Sequence, residues 1–102
     1  MQKKLGIKIV HAKTFLDKFI GFMFKKPKDY AIFFDNCRSV HTFFVRFNLN
    51  ILYLNSDKEV VKILKEVKPF RVTLPYKNAV SILEIPSGFV DINRLEIGDK
   101  IF

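Results

Sequence analysis

Apolar and polar positions alternate with a period of two from the start of the chain. Leu5, Ile7 and Ile9 stand against Gly6, Lys8 and Val10, which predicts a first strand over 5–10. Thr14 then caps a short helix running to Phe24, because Phe15, Leu16, Phe19, Ile20 and Met23 fall on one helical face. Asp17 lies in its first turn, and Lys25, Lys26, Pro27 and Lys28 close it with cations and a breaker. Strands follow at 30–34 and 49–54, and between them 40–47 is rich in β-branched and aromatic residues. Alternation within 40–47 puts His41, Phe43, Val45 and Phe47 on one face and Thr42, Phe44 and Arg46 on the other. Asn55-Ser56-Asp57-Lys58 is a turn signal. The run 59–67 after it fits a helical face as well as a strand; its β-branched density and the preceding turn favour the second arm of a hairpin. Pro69 and Pro75 bracket an extended, edge-like segment at 70–74, and 79–85 reads as a core strand stopped by Pro86-Ser87-Gly88. A helical turn at 91–95 and a last strand at 100–102 complete the pattern. It predicts a mainly β chain, α+β at the margin: one compact antiparallel β-barrel or sandwich with one or two short helices.

Composition supports that picture. A length of 102 residues makes 1–102 a single domain, long enough to bury roughly two-thirds of its unfolded surface. The chain is 49% hydrophobic with twelve Phe and no Trp, and its charges are interleaved with apolar residues, which excludes disorder. The one cysteine, Cys37, forms no internal disulfide and suits a reducing compartment. Lys8 and His11 interrupt the apolar residues near the N-terminus, so no signal peptide is read there, and no apolar run reaches the ~20 residues of a membrane span. The expected location is cytoplasmic, and no feature fixes an oligomeric state.

The charge, 18 basic against 10 acidic residues for a net +8, points to acidic partners: nucleic acid, an anionic membrane surface or a phosphorylated ligand. Fourteen of the cations are Lys and four are Arg, which also describes an ordinary solvated surface, since specific phosphate readers lean on Arg. A nucleic-acid-binding module is therefore an alternative. It requires Lys25, Lys26 and Lys28 on one face and several Phe exposed as a stacking platform.

Candidate chemistry is sparse. Cys37 and His41 are the raw material of a nucleophile and base, hence of a hydrolase-like enzyme, but an extended segment does not guarantee that they meet. One Cys and two His, with no paired-ligand spacing, give no metal site, and no phosphate-loop or dinucleotide spacing implies a cofactor. Arg46 and Arg71 stand among aromatic residues, where a guanidinium held by apolar walls can take a carboxylate or phosphate. Each could instead pair with Glu84 or lie over a Phe ring. Glu84, within Ile82-Leu83-Glu84-Ile85-Pro86, is the carboxylate with the strongest claim to burial and could orient Arg46, Arg71 or His41. The leading expectation is a non-enzymatic domain that binds a small anionic ligand or a protein partner through His41, Thr42, Arg46, Arg71 and Glu84.

Several blocks in order resemble the domain-of-unknown-function 192 family of small bacterial and archaeal proteins. They are Gly21-Phe22-Met23-Phe24-Lys25, the strong block Cys37-Arg38-Ser39-Val40-His41-Thr42-Phe43-Phe44-Val45-Arg46-Phe47, Ile51-Leu52-Tyr53-Leu54, Val60-Val61, Lys68-Pro69-Phe70-Arg71, 79–88 and Ile97-Gly98-Asp99-Lys100-Ile101. The resemblance implies a mostly antiparallel β domain and no reaction. Asn48 and Asn50 stand where the family usually has Pro and Asp; Asn50 keeps a hydrogen-bonding oxygen but cannot act as a general base.

Overall fold

The computed structural model describes residues 5–26 and 29–102; residues 1–4, the helix stop at Pro27 and Lys28, and the side chain of Phe15 lie outside the described residues. Among the described residues, five strands and one short helix follow in order: β1 (Lys8–Ala12), α1 (Phe15–Ile20), β2 (Tyr30–Phe34), β3 (Leu49–Leu54), β4 (Val60–Val67) and β5 (Ser81–Pro86), then a 3₁₀ turn at Ile92–Arg94. They form one sheet in the order β1-β2-β5-β3-β4. The mainly β expectation holds, with the sheet open rather than closed into a barrel. It is also mixed: α1 carries the chain across so that β1 and β2 run parallel, while the other pairs are antiparallel.

The central strands β3 and β5 are buried along their whole length, because both faces of the sheet are covered. Ile82 faces one cluster with Phe34, Leu49, Ile51, Tyr53, Phe22, Val40 and Val45. Leu83 and Ile85 face a second with Phe33, Leu52, Leu54, Ile92 and Ile101. Glu84 thus shares its face with Ile82 and opposes Leu83 and Ile85, as alternation predicts. The hairpin β3–β4 turns where expected: Asn55 Oδ1 accepts from the Asp57 and Glu59 amides, and Lys58 takes φ 63°.

Four local expectations are corrected. The first strand begins later than position 5, beyond the positive φ of Gly6. The helix has its Thr14–Asp17 capping box but ends at Ile20, and its supposed inner face is mostly outside, with Leu16 and Phe19 exposed. Gly21, at φ 48°, swings the chain so that Phe22 becomes the buried anchor. A Cβ at Gly21 would lie 3.3 Å from the Phe34 ring, so both the turn and the close packing need glycine. Finally, 40–47 is no strand: a single bridge joins His41 to Val72, and the last expected strand is likewise one bridge, Glu59 to Lys100.

Candidate functional site

Thr42 decides the geometry of the 40–47 segment. It is wholly buried, and its Oγ1 donates to the Lys68 carbonyl at 2.8 Å and accepts from the Arg71 amide at 2.8 Å. Its own amide donates to the Arg71 carbonyl, and its carbonyl accepts from Phe70 and Val45. One residue therefore clamps two loops together. Thr42 positions neighbouring residues and presents nothing to a ligand, which revises its expected place in the binding surface.

The clamped loops display aromatic rings outward. Phe19, Phe24, Phe43, Phe44 and Phe70 are each 40–61% exposed, a run of apolar surface that folding alone does not explain. Their rings touch in succession: Phe24 stacks on Phe44 at 5.1 Å, Phe44 meets Phe70 at 5.8 Å, and Phe70 meets Phe43 at 6.4 Å. Phe43 then stacks on His41 at 5.4 Å, and His41 contacts Phe19 at 5.1 Å. Phe24, Phe44 and Phe70 also have left-handed backbones, with φ of 60°, 60° and 63°. Phe24 and Phe44 occupy the third position of turns closed by Lys25–Phe22 and Val45–Thr42 hydrogen bonds, where Gly or Asn is favoured. Each such backbone costs about 1–2 kcal/mol for a bulky side chain.

Two concavities flank the ridge at 68–71. On one side a notch of about 250 Å³ is lined by Phe24, Phe44, Val45, Arg46 and Phe70. On the other, a groove of about 520 Å³ runs over Tyr53 and Leu64, bordered by Lys62, Lys68 and Arg71. The buried Tyr53 hydroxyl anchors the far wall by donating to the Leu74 carbonyl at 2.6 Å. The two arginines thus line different cavities. Among the described residues Arg46 forms no hydrogen bond or ion pair, and Arg71 makes only 3.5 Å contacts with the Pro69 and Phe70 carbonyls. Glu66, the acid in the groove wall, accepts from the Ser87 hydroxyl at 2.6 and 2.8 Å.

The remaining candidates lie elsewhere. His41 Nε2 is 2.8 Å from the Phe19 carbonyl and Nδ1 accepts from the Phe43 amide, so Nε2 carries the proton and both ring nitrogens are engaged. The Cys37 thiol donates to the Ser39 carbonyl at 3.0 Å; no hydrogen bond joins it to His41 among the described residues. Burial pushes that thiol upward, away from the thiolate a nucleophile needs. Glu84 pairs with neither arginine nor with His41. It is enclosed between Ile32 and Ile51 on the flanking strands, with Oε1 under Gly21, and desolvation raises it from 4.5 to about 8. Of the lysines expected to form a basic face, Lys26 is exposed, the Lys25 ammonium donates to the Gly21 carbonyl, and Lys28 lies outside the described residues. No group of acids, His and Cys able to hold a metal occurs among the described residues.

Asn50 has a structural task. Its buried Oδ1 accepts from the Glu66 amide at 3.0 Å, where Glu66 takes φ 52° at the irregular register between β3 and β4. An acceptor oxygen is what the Glu66 amide needs there, and an Asn side chain supplies it without a charge.

An open mixed sheet thus carries a ridge of exposed rings with two arginines that have no acidic partner among the described residues. The chain belongs to the domain-of-unknown-function 192 family, described as Uncharacterized ACR, whose profile matches residues 1–102. A UPF0127 protein of Pyrococcus furiosus is 36% identical over 104 residues, covering 97% of this chain and 89% of the relative. A UPF0127 protein of Thermococcus sibiricus is also 36% identical, over 96 residues, and the chain spans 62% of its length. The fold is shared with a crystal structure of a protein of unknown function from Novosphingobium aromaticivorans, with a TM-score of 0.76 and 22% identity over 92% of this chain and 73% of that one. No helix among the described residues is long and apolar enough to cross a membrane.

Proposed function

We propose that this chain is a non-enzymatic binding module that takes an anionic ligand on the basic, aromatic face around the 68–71 ridge. The observation that carries the reading is that Arg46 and Arg71 stand beside concave apolar surface with no acidic partner among the described residues. A guanidinium that folding leaves unpaired keeps its fork of donors for an outside carboxylate or phosphate. Lys62 and Lys68 add charge to the groove rim, and the net +8 draws anions toward it. His41 serves by holding Phe19 and Phe43 in place. The lone cysteine suits a reducing compartment, and a cytoplasmic location goes with this reading.

Amide NMR titration with inorganic pyrophosphate at low salt tests it. The expected shifts fall on 68–74 and fade when Arg71 is replaced by Ala. Absence of shifts there, or shifts unchanged in the Arg71→Ala protein, refutes the reading.

A further inference from the structure

Resting on that reading, we propose that the ligand is single-stranded nucleic acid, its bases stacking on the Phe24–Phe44–Phe70 notch and its phosphates held by Arg46 and Arg71. Size sets the first constraint. A notch of about 250 Å³ is smaller than the ~300–1,000 Å³ of pockets that enclose a whole small molecule. It suits one flat group of something larger. Ring contacts continue from it through Phe43 and His41 to Phe19, so the surface repeats the same kind of contact along a run. A ligand matching that run carries several flat apolar units in series.

Charge narrows the class. Arg46 lines the notch with Phe70, and Arg71, the next residue along the chain, lines the neighbouring groove, so two of the chain's four arginines lie close to this aromatic surface. A polymer with a flat ring and a negative charge in every unit meets both features at once. An acidic peptide supplies the charge without a ring in each unit, and an anionic lipid surface supplies no flat ring to stack. Single strands are bound in this way, by aromatic faces for the bases and cations for the backbone.

Backbone geometry adds a separate line. Phe24, Phe44 and Phe70 hold conformations that glycine would take freely, yet each points a large ring to solvent. Stability does not account for them, whereas display of the rings does.

Fluorescence anisotropy with an end-labelled oligothymidylate, titrated with salt, tests the proposal. The full chain binds at low salt and loses affinity as salt rises. Phe44→Ala and Phe70→Ala each weaken binding about tenfold, in keeping with the stacking of a single base. Phe44→Gly weakens binding equally while leaving the thermal midpoint unchanged or higher; a ring with a merely structural role would lower both. Lys65→Ala, on a side chain bonded to Asn93 away from the ridge, leaves binding within about twofold. No binding at low salt overturns the proposal, as does binding indifferent to the Phe substitutions, which marks generic charge attraction. Phe44-dependent binding to phosphatidylserine vesicles or to polyglutamate that matches the oligonucleotide's affinity also overturns it, in favour of a lipid surface or an acidic protein. If the oligonucleotide fails while pyrophosphate still shifts 68–74, the broader anion-binding reading survives; if both fail, it falls too.

Discussion

Replacing Glu84 with Gln removes the one fully buried acid among the described residues, whose ionisation opposes folding, and the effect depends on pH in a direction fixed by the structure. The carboxyl sits between Ile32 and Ile51, beneath Gly21 and the Phe34 ring, with no hydrogen-bond partner among the described residues. Burial raises it from 4.5 to about 8, so the folded protein keeps this proton over a range where the unfolded chain has released it. Wild-type stability from this group is therefore full below pH 4.5, falls as pH rises, and levels off above about 8. At ~1.4 kcal/mol per pH unit over that interval, the loss approaches about 4–5 kcal/mol, a third or more of a typical domain's stability. The Glu84→Gln protein has no titrating group at this position. Urea denaturation of both proteins from pH 5 to pH 8 should show the variant gaining on wild type by roughly 1 kcal/mol per pH unit, with other titrating groups cancelling in the difference. At the acid end the variant is level or slightly worse, because the amide brings two donors into the same apolar space. A stability difference that stays flat over this range would refute the account of Glu84 as a neutral acid in the core.

Other substitutions probe the scaffold. Thr42→Val preserves shape but leaves the Lys68 carbonyl and Arg71 amide without their 2.8 Å partner; it should cost about 2–4 kcal/mol in urea denaturation and loosen the ridge, seen as faster amide exchange at Phe70 and Arg71. Ser81 carries a buried hydroxyl with no partner among the described residues, so Ser81→Ala should leave stability unchanged or raise it by up to about 1 kcal/mol, read as a higher urea midpoint.

Local pattern by itself determined most of the β framework. Tyr30–Phe34, Leu49–Leu54 and the hairpin into Val60–Val67 follow from apolar runs bounded by turn residues, and Thr14 with Asp17 caps its helix through contacts three residues apart. The side of β5 on which Glu84 lies was also legible, since alternation in a strand needs no partner. How deeply it is buried was not, because that depends on Gly21 and Phe34 arriving from elsewhere in the chain. The parallel pairing of β1 with β2 is likewise a choice among partners, which strand patterns leave undetermined. The site divides the same way. Residue types marked out Arg46, Arg71 and the aromatic block, but treating 40–47 as a strand assigned its faces wrongly. The hydrogen bonds of Thr42 and Val40 to a loop about thirty residues away turn that segment into a clamped pair of turns. Those bonds, between groups remote in sequence, bring Phe70 beside Phe44, and the Phe24 amide donating to the Phe44 carbonyl adds Phe24 to the same surface; no run of neighbouring residues encodes such a contact.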